Sequence, residues 1–382
     1  MAVIWQERRT HSLAERLAAI NWIVPVLLAA IGSVGVLTLY SVGGGSMEPW
    51  AMRHVLRLMA GLAIVFAMVA VPLRFWMAMA IPLYLLALAS VAAVMVHGTE
   101  SMGAQRWLAI GSIGFQPSEL MKVALVLILA RYYQSVPPRL VSHPMAVLLP
   151  GVLILLPALL ILKQPDLGTA ALMGVTGAAM MFLAGVSVLY YAAAGLGIAL
   201  ISPMLWNLLH DYQKQRVIVF LDPEADPLGK GYQIQQSMIA LGSGGYTGKG
   251  LLQGTQSQLD FVPETHTDFI FTIFAEEMGF VGCMVLFALY SVLFWVLVSM
   301  SLRVKSVFAR LLIAGAGVSL FLHVFINIAM VMGVAPVVGV PLPLVSYGGT
   351  SLFATMFGAG LAMSAFAHRH DTIARKDTGW IF

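Results

Sequence analysis

Charge is scarce in this 382-residue sequence. Asp, Glu, Lys and Arg together make up 10% of the residues and hydrophobic residues make up 60%, whereas about 25% of a soluble domain is charged. A water-soluble fold of this length could not bury so much apolar surface, so a soluble globular protein is excluded. Cysteine is almost absent as well. The single Cys283 excludes intrachain disulfides and argues against a thiol site.

The sequence also lacks an internal repeat and any low-complexity region, which argues against the transporter folds that are built from repeats. Its N-terminus resembles a signal peptide, because Arg8 and Arg9 precede an apolar run. That run is too long, however, and no small-residue cleavage site follows it. We therefore interpret the run as a retained first membrane span.

What the sequence does contain is a series of apolar blocks of about 20 residues, the length that crosses a bilayer as a helix. Ten blocks predict an all-α polytopic membrane protein with ten transmembrane helices in a single membrane domain, residues 1–382. The nearly continuous block 168–208 is divided at Gly185-Val186-Ser187. The predicted spans are 20–41, 55–73, 75–96, 117–135, 144–162, 168–185, 187–208, 269–301, 309–333 and 345–367.

The distribution of Lys and Arg predicts the orientation of these spans. With ten spans, both termini lie on one side, together with three of the loops. That side has four of the 17 acidic residues and 12 of the 21 basic ones: Arg8, Arg9, Arg16, Arg74, Arg131, Arg139, Arg303, Lys305, Arg310, Arg369, Arg375 and Lys376. We predict that segments 1–19 and 369–382 are cytoplasmic. The net charge of +4 is thus a topogenic signal, and nucleic-acid binding is not indicated.

One long polar loop, 209–268, separates spans 7 and 8 and is predicted to be extracytoplasmic. It has 11 of the 38 charged residues, and eight glycines lie between Gly229 and Gly254. Ile234, Met238 and Leu241 recur at helical spacing, which predicts a short amphipathic helix on the membrane surface. Around Gly248-Lys249 the loop superficially resembles a phosphate-binding P-loop, but the spacing of that motif is not met. Long loops are often functional; the alternative is a flap without chemistry.

Polar residues accumulate toward Asp268, directly before the eighth span. A carboxylate that is half shielded from water at this boundary can act as a general base. The alternative is a helix N-cap, for which Asp is a preferred residue. His266 is a candidate second base, or a hydrogen-bonding loop residue. Glu276 and Glu277, further along the span, each need a partner within the bundle.

The outward segment 97–119 leads into a helix that carries charge. Glu119 and Lys122 are three residues apart and can pair on one helix face, either as a structural ion pair or beside a wet cavity. Arg106 and Trp107 could bind a phosphate and stack on a sugar; Trp107 could equally be an interfacial aromatic. Asp166, in the next outward turn, is interpreted as the cap of the following helix.

Two further segments carry candidate residues. Tyr212, Gln213 and Arg216 follow the seventh span; Arg216 suits a phosphorylated headgroup because a guanidinium binds phosphate bidentately, while Tyr212 could be a snorkelling interface residue. Segment 335–351 has three prolines and three glycines, so it cannot be a regular helix and must be buried or line a cavity. Ser346, Tyr347 and Thr350 are then candidate cavity-lining donors. His323 and Asn327 are expected to form interhelical hydrogen bonds.

Together these segments resemble the SEDS family of bacterial shape, elongation, division and sporulation proteins over residues 20 to 368. The most specific strings are Pro263 through Asp268 to Gly279, and Pro-Val-Val-Gly-Val-Pro-Leu-Pro followed by Ser-Tyr-Gly-Gly-Thr-Ser (336–351). The string Gly-Thr-Gln-Ser-Gln-Leu-Asp-Phe (254–261) looks like the rod-shape branch (RodA) rather than the division branch (FtsW).

The resemblance implies a peptidoglycan glycosyltransferase that polymerises lipid II by inverting transfer on the outer face of the cytoplasmic (inner) membrane, for cell elongation and rod shape. It implies a class B penicillin-binding protein and the elongation machinery as partners. Asp268 matches the family's catalytic aspartate. Many rod-branch relatives have Arg where this chain has Thr265, which removes one candidate cation. The alternatives are a lipid II flippase and a non-catalytic scaffold for the penicillin-binding protein.

The leaving pyrophosphate needs positive charge. Arg or Lys side chains are candidates to supply it, and so is a divalent cation (Mg or Mn) shared with the substrate pyrophosphate. No cofactor is assigned with certainty. The candidate substrate-binding residues are Arg106, Trp107, Glu119, Lys122, Tyr212, Gln213, Arg216, His266, Thr267, Ser346 and Thr350.

Overall fold

The structure, a computed structural model, describes residues 20–101, 104–110, 113–208, 211–222, 226, 229–255, 265–371 and 373. Its architecture is helical, with one small sheet. The helices are α1 (Ile23–Val42), α2 (Ala51–Ala70), α3 (Leu73–His97), α4 (Pro117–Ser135), α5 (Pro144–Leu162), α6 (Leu167–Ala184), α7 (Val188–Leu208), α8 (Asp211–Leu221), α9 (Lys230–Ser243), α10 (Ile270–Leu302), α11 (Val307–Val331) and α12 (Gly349–Ala367).

Each predicted span coincides with a helix, and each predicted end lies within four residues of the observed one. Gly185 ends α6 in the left-handed conformation (φ 103°), which confirms the division of block 168–208. Among the described helices, eight are long and apolar enough to cross a membrane. Of the other two predicted spans, α4 carries three charged residues, and the described apolar stretch of α7, Val188–Met204, is shorter. The chain is a multi-span membrane protein, and the count of ten spans stays a prediction.

Among the helices that correspond to predicted spans, α4 has the most charged residues and also the largest buried fraction. Sixteen of the 19 residues of α4 are buried, because α3, α5, α6, α11 and α12 all pack around it. Elsewhere α12 packs against α2 and α11, while α10 packs against α1, α9 and α11. By contrast α7 exposes most of its apolar side chains. Charge at membrane depth is tolerated inside the bundle, where partners replace water.

A small antiparallel sheet, which the sequence pattern did not predict, connects α3 to α4. It comprises β1 (Thr99–Ser101), β2 (Ala104–Ile110) and β3 (Ile113–Phe115) in the order β1-β2-β3. Thr99 pairs with Trp107, and the ring of Trp107 lies over Gly114. The sheet thereby holds Arg106 and Trp107 in a defined backbone before α4 begins.

The described part of the predicted loop 209–268 includes helices α8 and α9. The predicted amphipathic helix is present as α9, and it packs against α10 and α11. Its buried face includes Ile234 and Ser237, whose hydroxyl lies 2.8 Å from that of Thr272 and donates to the carbonyl of Val331 at 3.0 Å. Met238 is 44% exposed. The position of α9 relative to a membrane surface stays a prediction.

Segment 332–348, between α11 and α12, has irregular backbone, as the prolines and glycines predicted. Gly333, Gly339 and Leu344 have positive φ, and several side chains from Val337 to Ser346 are buried. Gly35 of α1 lies against the backbone of this segment: a Cβ there would be 2.7 Å from the carbonyl oxygen of Val345 and 2.8 Å from that of Leu344. The segment is therefore buried in protein, which is the condition for irregular backbone at membrane depth.

We expect Gly35→Val to destabilise the protein by about 3 kcal/mol, because the added carbons meet backbone that cannot move aside. Gly174→Val, in α6, is the matched control, since no described atom lies within 4 Å of a Cβ there. The measurement is the melting temperature of the detergent-solubilised protein, taken from the loss of its monodisperse size-exclusion peak on heating. Equal melting temperatures for the two variants would contradict the assigned contact.

Candidate active site

Asp268 lies in a turn, residues 265–269, immediately before α10. It is half-buried, and its Oδ2 atom lies 3.3 Å from the position of a Cβ on Gly339. The N-cap residue of α10 is Phe269, so the alternative interpretation of Asp268 as the N-cap is wrong. The carboxylate thus lies against the irregular segment, where Gly339 (φ 78°) permits close approach.

The turn that carries Asp268 is held through three consecutive carbonyl groups. Tyr347 N–H donates to the carbonyl of His266 at 2.8 Å, and the Ser346 hydroxyl donates to that of Thr267 at 2.6 Å. Asn327 donates to the carbonyl of Asp268 at 2.9 Å and to that of Val340 at 2.7 Å. Each donor comes from α11 or from the segment before α12, so these elements determine the position of the carboxylate.

Ser346 was predicted to line a cavity as a donor. Its hydroxyl instead joins two backbone segments, since it also accepts a hydrogen bond from Leu342 N–H at 2.7 Å. The residue is 3% exposed. Thr350 is half-buried in the first turn of α12. Substrate contact by Ser346, Thr350, His266 and Thr267 stays a prediction.

An aromatic cluster that the sequence analysis missed covers the same turn. The imidazole of His266 stacks on Trp50 with ring centroids 4.1 Å apart, and Tyr347 meets Trp50 edge-on at 4.9 Å. The guanidinium carbon of Arg57 lies 4.4 Å from the centroid of the Tyr347 ring, within cation–π range. Arg57 could have been found from the sequence, because a cation inside a predicted span signals a functional position.

Arg216, on α8, approaches the irregular segment next to Asp268. Its Nη1 donates to the carbonyl of Val338 at 3.3 Å, and Val338 is the neighbour of Gly339. Gln213 on the same helix is 7% exposed. The side chain of Tyr212 lies outside the described part of the structure. Asp268 and Arg216 therefore meet the same two-residue stretch of backbone.

The turn before α6 meets that stretch as well. A Cβ on Gly168 would overlap the side chain of Val338. Asp166 accepts from Thr169 N–H at 3.2 Å and from the Thr169 hydroxyl at 2.9 Å, which confirms its predicted cap. Arg106 donates to the carbonyl of Pro165, and its Nε lies 3.8 Å from Asp166 Oδ2. Arg106 and Asp166 therefore lie next to the site, and both side chains already have partners at the turn that leads into α6.

Beneath the turn lies a buried group of three ionisable side chains. Lys122 Nζ lies 2.8 Å from Glu119 Oε1 and also contacts His323 Nε2, which confirms the predicted pair. His323 Nδ1 lies 2.6 Å from the carbonyl of Ser319 and must donate to it, so Nε2 is the acceptor for the ammonium. All three residues line a cavity of about 60 Å³ whose other lining residues are apolar except for Ser319 and Thr355.

His323 and Asn327 lie one turn apart on α11, as their spacing predicted. His323 makes the predicted interhelical contact, with Lys122 on α4, whereas Asn327 donates to the turn before α10 and to the irregular segment. A column of polar groups therefore runs along α11 from Asp268 to Glu119. Among the residues that the structure describes, no group of three or more His, Cys, Asp and Glu could hold a metal ion.

The FtsW/RodA/SpoVE family, described as cell cycle protein, matches residues 18–371. The chain is 45% identical over 350 residues to the peptidoglycan glycosyltransferase MrdB of Escherichia coli K12. The aligned region covers 90% of this chain and 92% of the relative.

Solved structures give a concordant result. One chain, from work described as the structural coordination of polymerization and crosslinking by a peptidoglycan synthase complex, aligns with a TM-score of 0.80 and 34% identity, over 92% of this chain and 99% of that one. The rod shape determining protein RodA of Thermus thermophilus aligns with a TM-score of 0.70 and 28% identity, over 92% and 98%.

The buried ion pair generates a stability prediction. Lys122→Met should cost about 3–5 kcal/mol of unfolding free energy, because it leaves the Glu119 carboxylate buried without its counter-charge. Adding Glu119→Gln should recover most of that loss. Reversible unfolding in mixed micelles measures Lys122→Met, Glu119→Gln and the double variant. If the double variant is as unstable as the sum of the two single ones, the coupling does not exist.

Proposed function

We propose that this chain, which belongs to the FtsW/RodA/SpoVE family of cell cycle proteins, polymerises lipid II with Asp268 as the general base. The chain is a peptidoglycan glycosyltransferase. The observation that carries the proposal for Asp268 is its placement: a half-buried carboxylate at the end of the polar loop, on a turn whose three carbonyl groups are held by α11 and the irregular segment.

The proposed step is an inverting displacement. The 4-hydroxyl oxygen of the acceptor sugar attacks the anomeric carbon of the lipid-linked donor, and a new C–O bond forms as the bond to the pyrophosphate breaks. The hydroxyl proton passes to Asp268, and the electron pair leaves with the lipid pyrophosphate. A base within hydrogen-bond reach of that hydroxyl contributes about 10²–10⁴-fold. A turn with fixed backbone suits this role, because the carboxylate does not have to be repositioned for each transfer.

Among the candidate cations, the geometry favours Arg216 for the leaving pyrophosphate. Lys122 is 5% exposed and already contacts Glu119 and His323. Arg106 is bound to the turn at Pro165 and Asp166. Arg216 is half-buried and lies at Val338, beside the residue that Asp268 touches. A planar guanidinium also matches the oxygens of a phosphate bidentately.

A divalent cation, Mg²⁺ or Mn²⁺, would in this arrangement be held chiefly by the pyrophosphate oxygens, since Mg²⁺ is commonly bound by one or two carboxylates together with substrate phosphates. It would supply additional charge for the leaving group. Among the described residues, Asp268 beside Gly339 is a carboxylate that would be available to such an ion. Titration of the polymerisation assay with EDTA and then with each ion tests this part of the proposal.

The remaining parts of the assignment concern location and partners. We place the protein in the bacterial cytoplasmic membrane with both termini cytoplasmic, which rests on the basic residues of the loops. We also propose a class B penicillin-binding protein as its partner within the elongation machinery. This choice is supported by the similarity to a chain from a peptidoglycan synthase complex that coordinates polymerization and crosslinking.

The first functional prediction concerns Asp268. Asp268→Ala and Asp268→Asn should each lower glycan polymerisation from purified lipid II by at least about 10²-fold, because neither side chain can accept the proton. Polymer length on gels, with the partner protein present, is the measurement. Asp371→Asn is the matched control. Asp371 lies after α12, and this variant should retain full activity.

Three outcomes would contradict the assignment in different ways. Undiminished polymer from the Asp268 variants would remove Asp268 from the mechanism. Transbilayer movement of lipid II without polymer from the wild type would favour a flippase. Activity of the partner that depends on the chain, again without polymer, would favour a scaffold.

The second functional prediction separates two arginines. Arg216→Gln should lower kcat/KM for lipid II by about 10²-fold, because a donor to the developing pyrophosphate charge is lost, and Arg216→Lys should restore part of it. Arg106→Gln should chiefly lower the melting temperature, since its partners are the carbonyl of Pro165 and Asp166. Steady-state kinetics and thermal unfolding of the same samples decide between the roles. The reverse pattern would transfer the phosphate role to Arg106.

A further inference from the structure

Helix α10 is interrupted nine residues after its start. Gly279 has φ 61° and ψ −164°, outside the helical region, so the helix consists of a first part, 270–278, and a second part, 280–302. An interruption frees backbone carbonyl and N–H groups, and at membrane depth each of them needs a partner from the protein.

The glycine-rich stretch 244–250 supplies those partners. The N–H groups of Lys249 and Gly250 donate to the carbonyls of Glu276 and Glu277, each at 3.0 Å. In return, the carbonyls of Gly245 and Tyr246 accept from the N–H groups of Phe280 and Val281, at 3.0 and 3.1 Å. The extracytoplasmic loop thus inserts into the break and completes the hydrogen bonding on both sides of it.

Glycine is required for this insertion on steric grounds. A Cβ on Gly244 would overlap the carbonyl of Ala275, one on Gly248 would overlap the backbone of Glu277, and one on Gly279 would overlap the backbone of Gly248. Gly248 and Gly279 also have positive φ, which favours glycine. The glycines that only superficially resembled a phosphate-binding loop therefore have a packing role against α10.

Buried carboxylates fasten the same contact. Glu276 is fully buried, and its Oε1 accepts from Lys249 Nζ at 2.6 Å and from the N–H and hydroxyl of Thr255, each at 2.9 Å. Glu277 accepts from the hydroxyl of Ser41 on α1. The partner of Glu277 lies in the bundle, as the sequence analysis required, whereas Lys249 and Thr255 donate to Glu276 from the loop. The ammonium group of Lys249 compensates the charge of Glu276.

The two parts of α10 differ in their surroundings. Residues Ile270 through Glu277 are all buried, on every face of the helix, whereas beyond Gly279 the buried residues recur at three- and four-residue spacing, as on a helix with one face toward the bundle. The first part begins two residues after Asp268. Its position along and around its own axis therefore sets where the turn with Asp268 ends.

We infer that the loop 244–255 locks the first part of α10 in the register that positions Asp268, and that Lys249 and Glu276 are positioning residues for catalysis. The inference rests on the proposed function of Asp268. Lys249 touches neither Asp268 nor the proposed substrate position: Glu276 lies eight residues from Asp268, about 12 Å along a helix. A displacement of about 1 Å at the reacting carboxylate can cost about 10²-fold in rate.

The test compares Lys249→Met, Lys249→Arg and Thr255→Val in the full-length protein with its partner. We expect Lys249→Met to lower kcat by about 10- to 100-fold while KM for lipid II changes less than about twofold, because substrate contacts are retained. Lys249→Arg should regain most of the rate. Thr255→Val removes one donor to Glu276 and should give a smaller loss. Lys305→Met, at an exposed lysine, is the matched control and should have wild-type kcat.

Two additional measurements separate positioning from a general loss of structure. Amide hydrogen exchange of the peptide 270–281 should accelerate in Lys249→Met while that of α4 does not change. In addition, Lys249→Cys alkylated with 2-bromoethylamine restores an ammonium of nearly the same length. The native Cys283 is buried in α10 and is replaced by Ala in both the treated and the untreated sample. Alkylation should restore kcat.

The outcomes distinguish the two proposals. If Asp268→Ala is inactive but Lys249→Met has wild-type kcat, the locking role is wrong and the general base stands. If Asp268→Ala is active, the general base is wrong, whatever Lys249 does. A rise in KM without a change in kcat for Lys249→Met, or a failure of alkylation to restore the rate in folded protein, would likewise overturn the positioning role.

Discussion

The hydrogen bonds to the carbonyls of His266, Thr267 and Asp268 are the interaction on which the site depends. They join a turn at the end of one polar loop to α11 and to an irregular segment nearly 80 residues later. Asn327 has the central place, because its amide spans the gap between Asp268 and Val340. A buried amide with two backbone acceptors specifies one arrangement of the two segments, since any shift leaves carbonyl groups without donors at a cost of about 1–3 kcal/mol each.

Irregular backbone recurs wherever the chain assembles this site. The segment before α12, the turn 265–269 and the interruption of α10 would each be unstable in contact with lipid. Two of them are covered by non-helical backbone, because the segment before α12 donates to the turn and loop 244–250 fills the break at Gly279. The segment before α12 is itself covered by helix α1, where Gly35 lies against residues 344 and 345. The site is therefore held by mutual covering of non-helical segments, while the regular helices provide the enclosure around them.

Much of the fold could be predicted from the sequence. The helices of the membrane domain follow from hydropathy, since the thickness of the bilayer's hydrocarbon core sets the length of an apolar helix that crosses it. Asp268 could be found because polar residues accumulate before it, and Glu119 with Lys122 because their spacing is local. Long-range geometry could not be predicted: the stacking of Trp50 on His266, the approach of Arg57 to Tyr347 and the contact of Lys249 with Glu276 join residues far apart in sequence. The sheet at 99–115 was missed because two of its strands, β1 and β3, have only 3 residues each.

The burial of α4 has a consequence for how the protein enters the membrane. A translocon that releases helices one by one would meet, in α4, the charged residues Glu119, Lys122 and Arg131. The free-energy cost of inserting Lys or Arg rises with depth and reaches about 2.5–3.5 kcal/mol at a helix centre. The i,i+3 pairing of Glu119 with Lys122 can offset part of that cost at once. His323, the other partner of Lys122, is synthesised about 200 residues later. Until then α4 depends on α3 and on the helices that follow it, so this protein has to assemble as a cluster of helices inserted together.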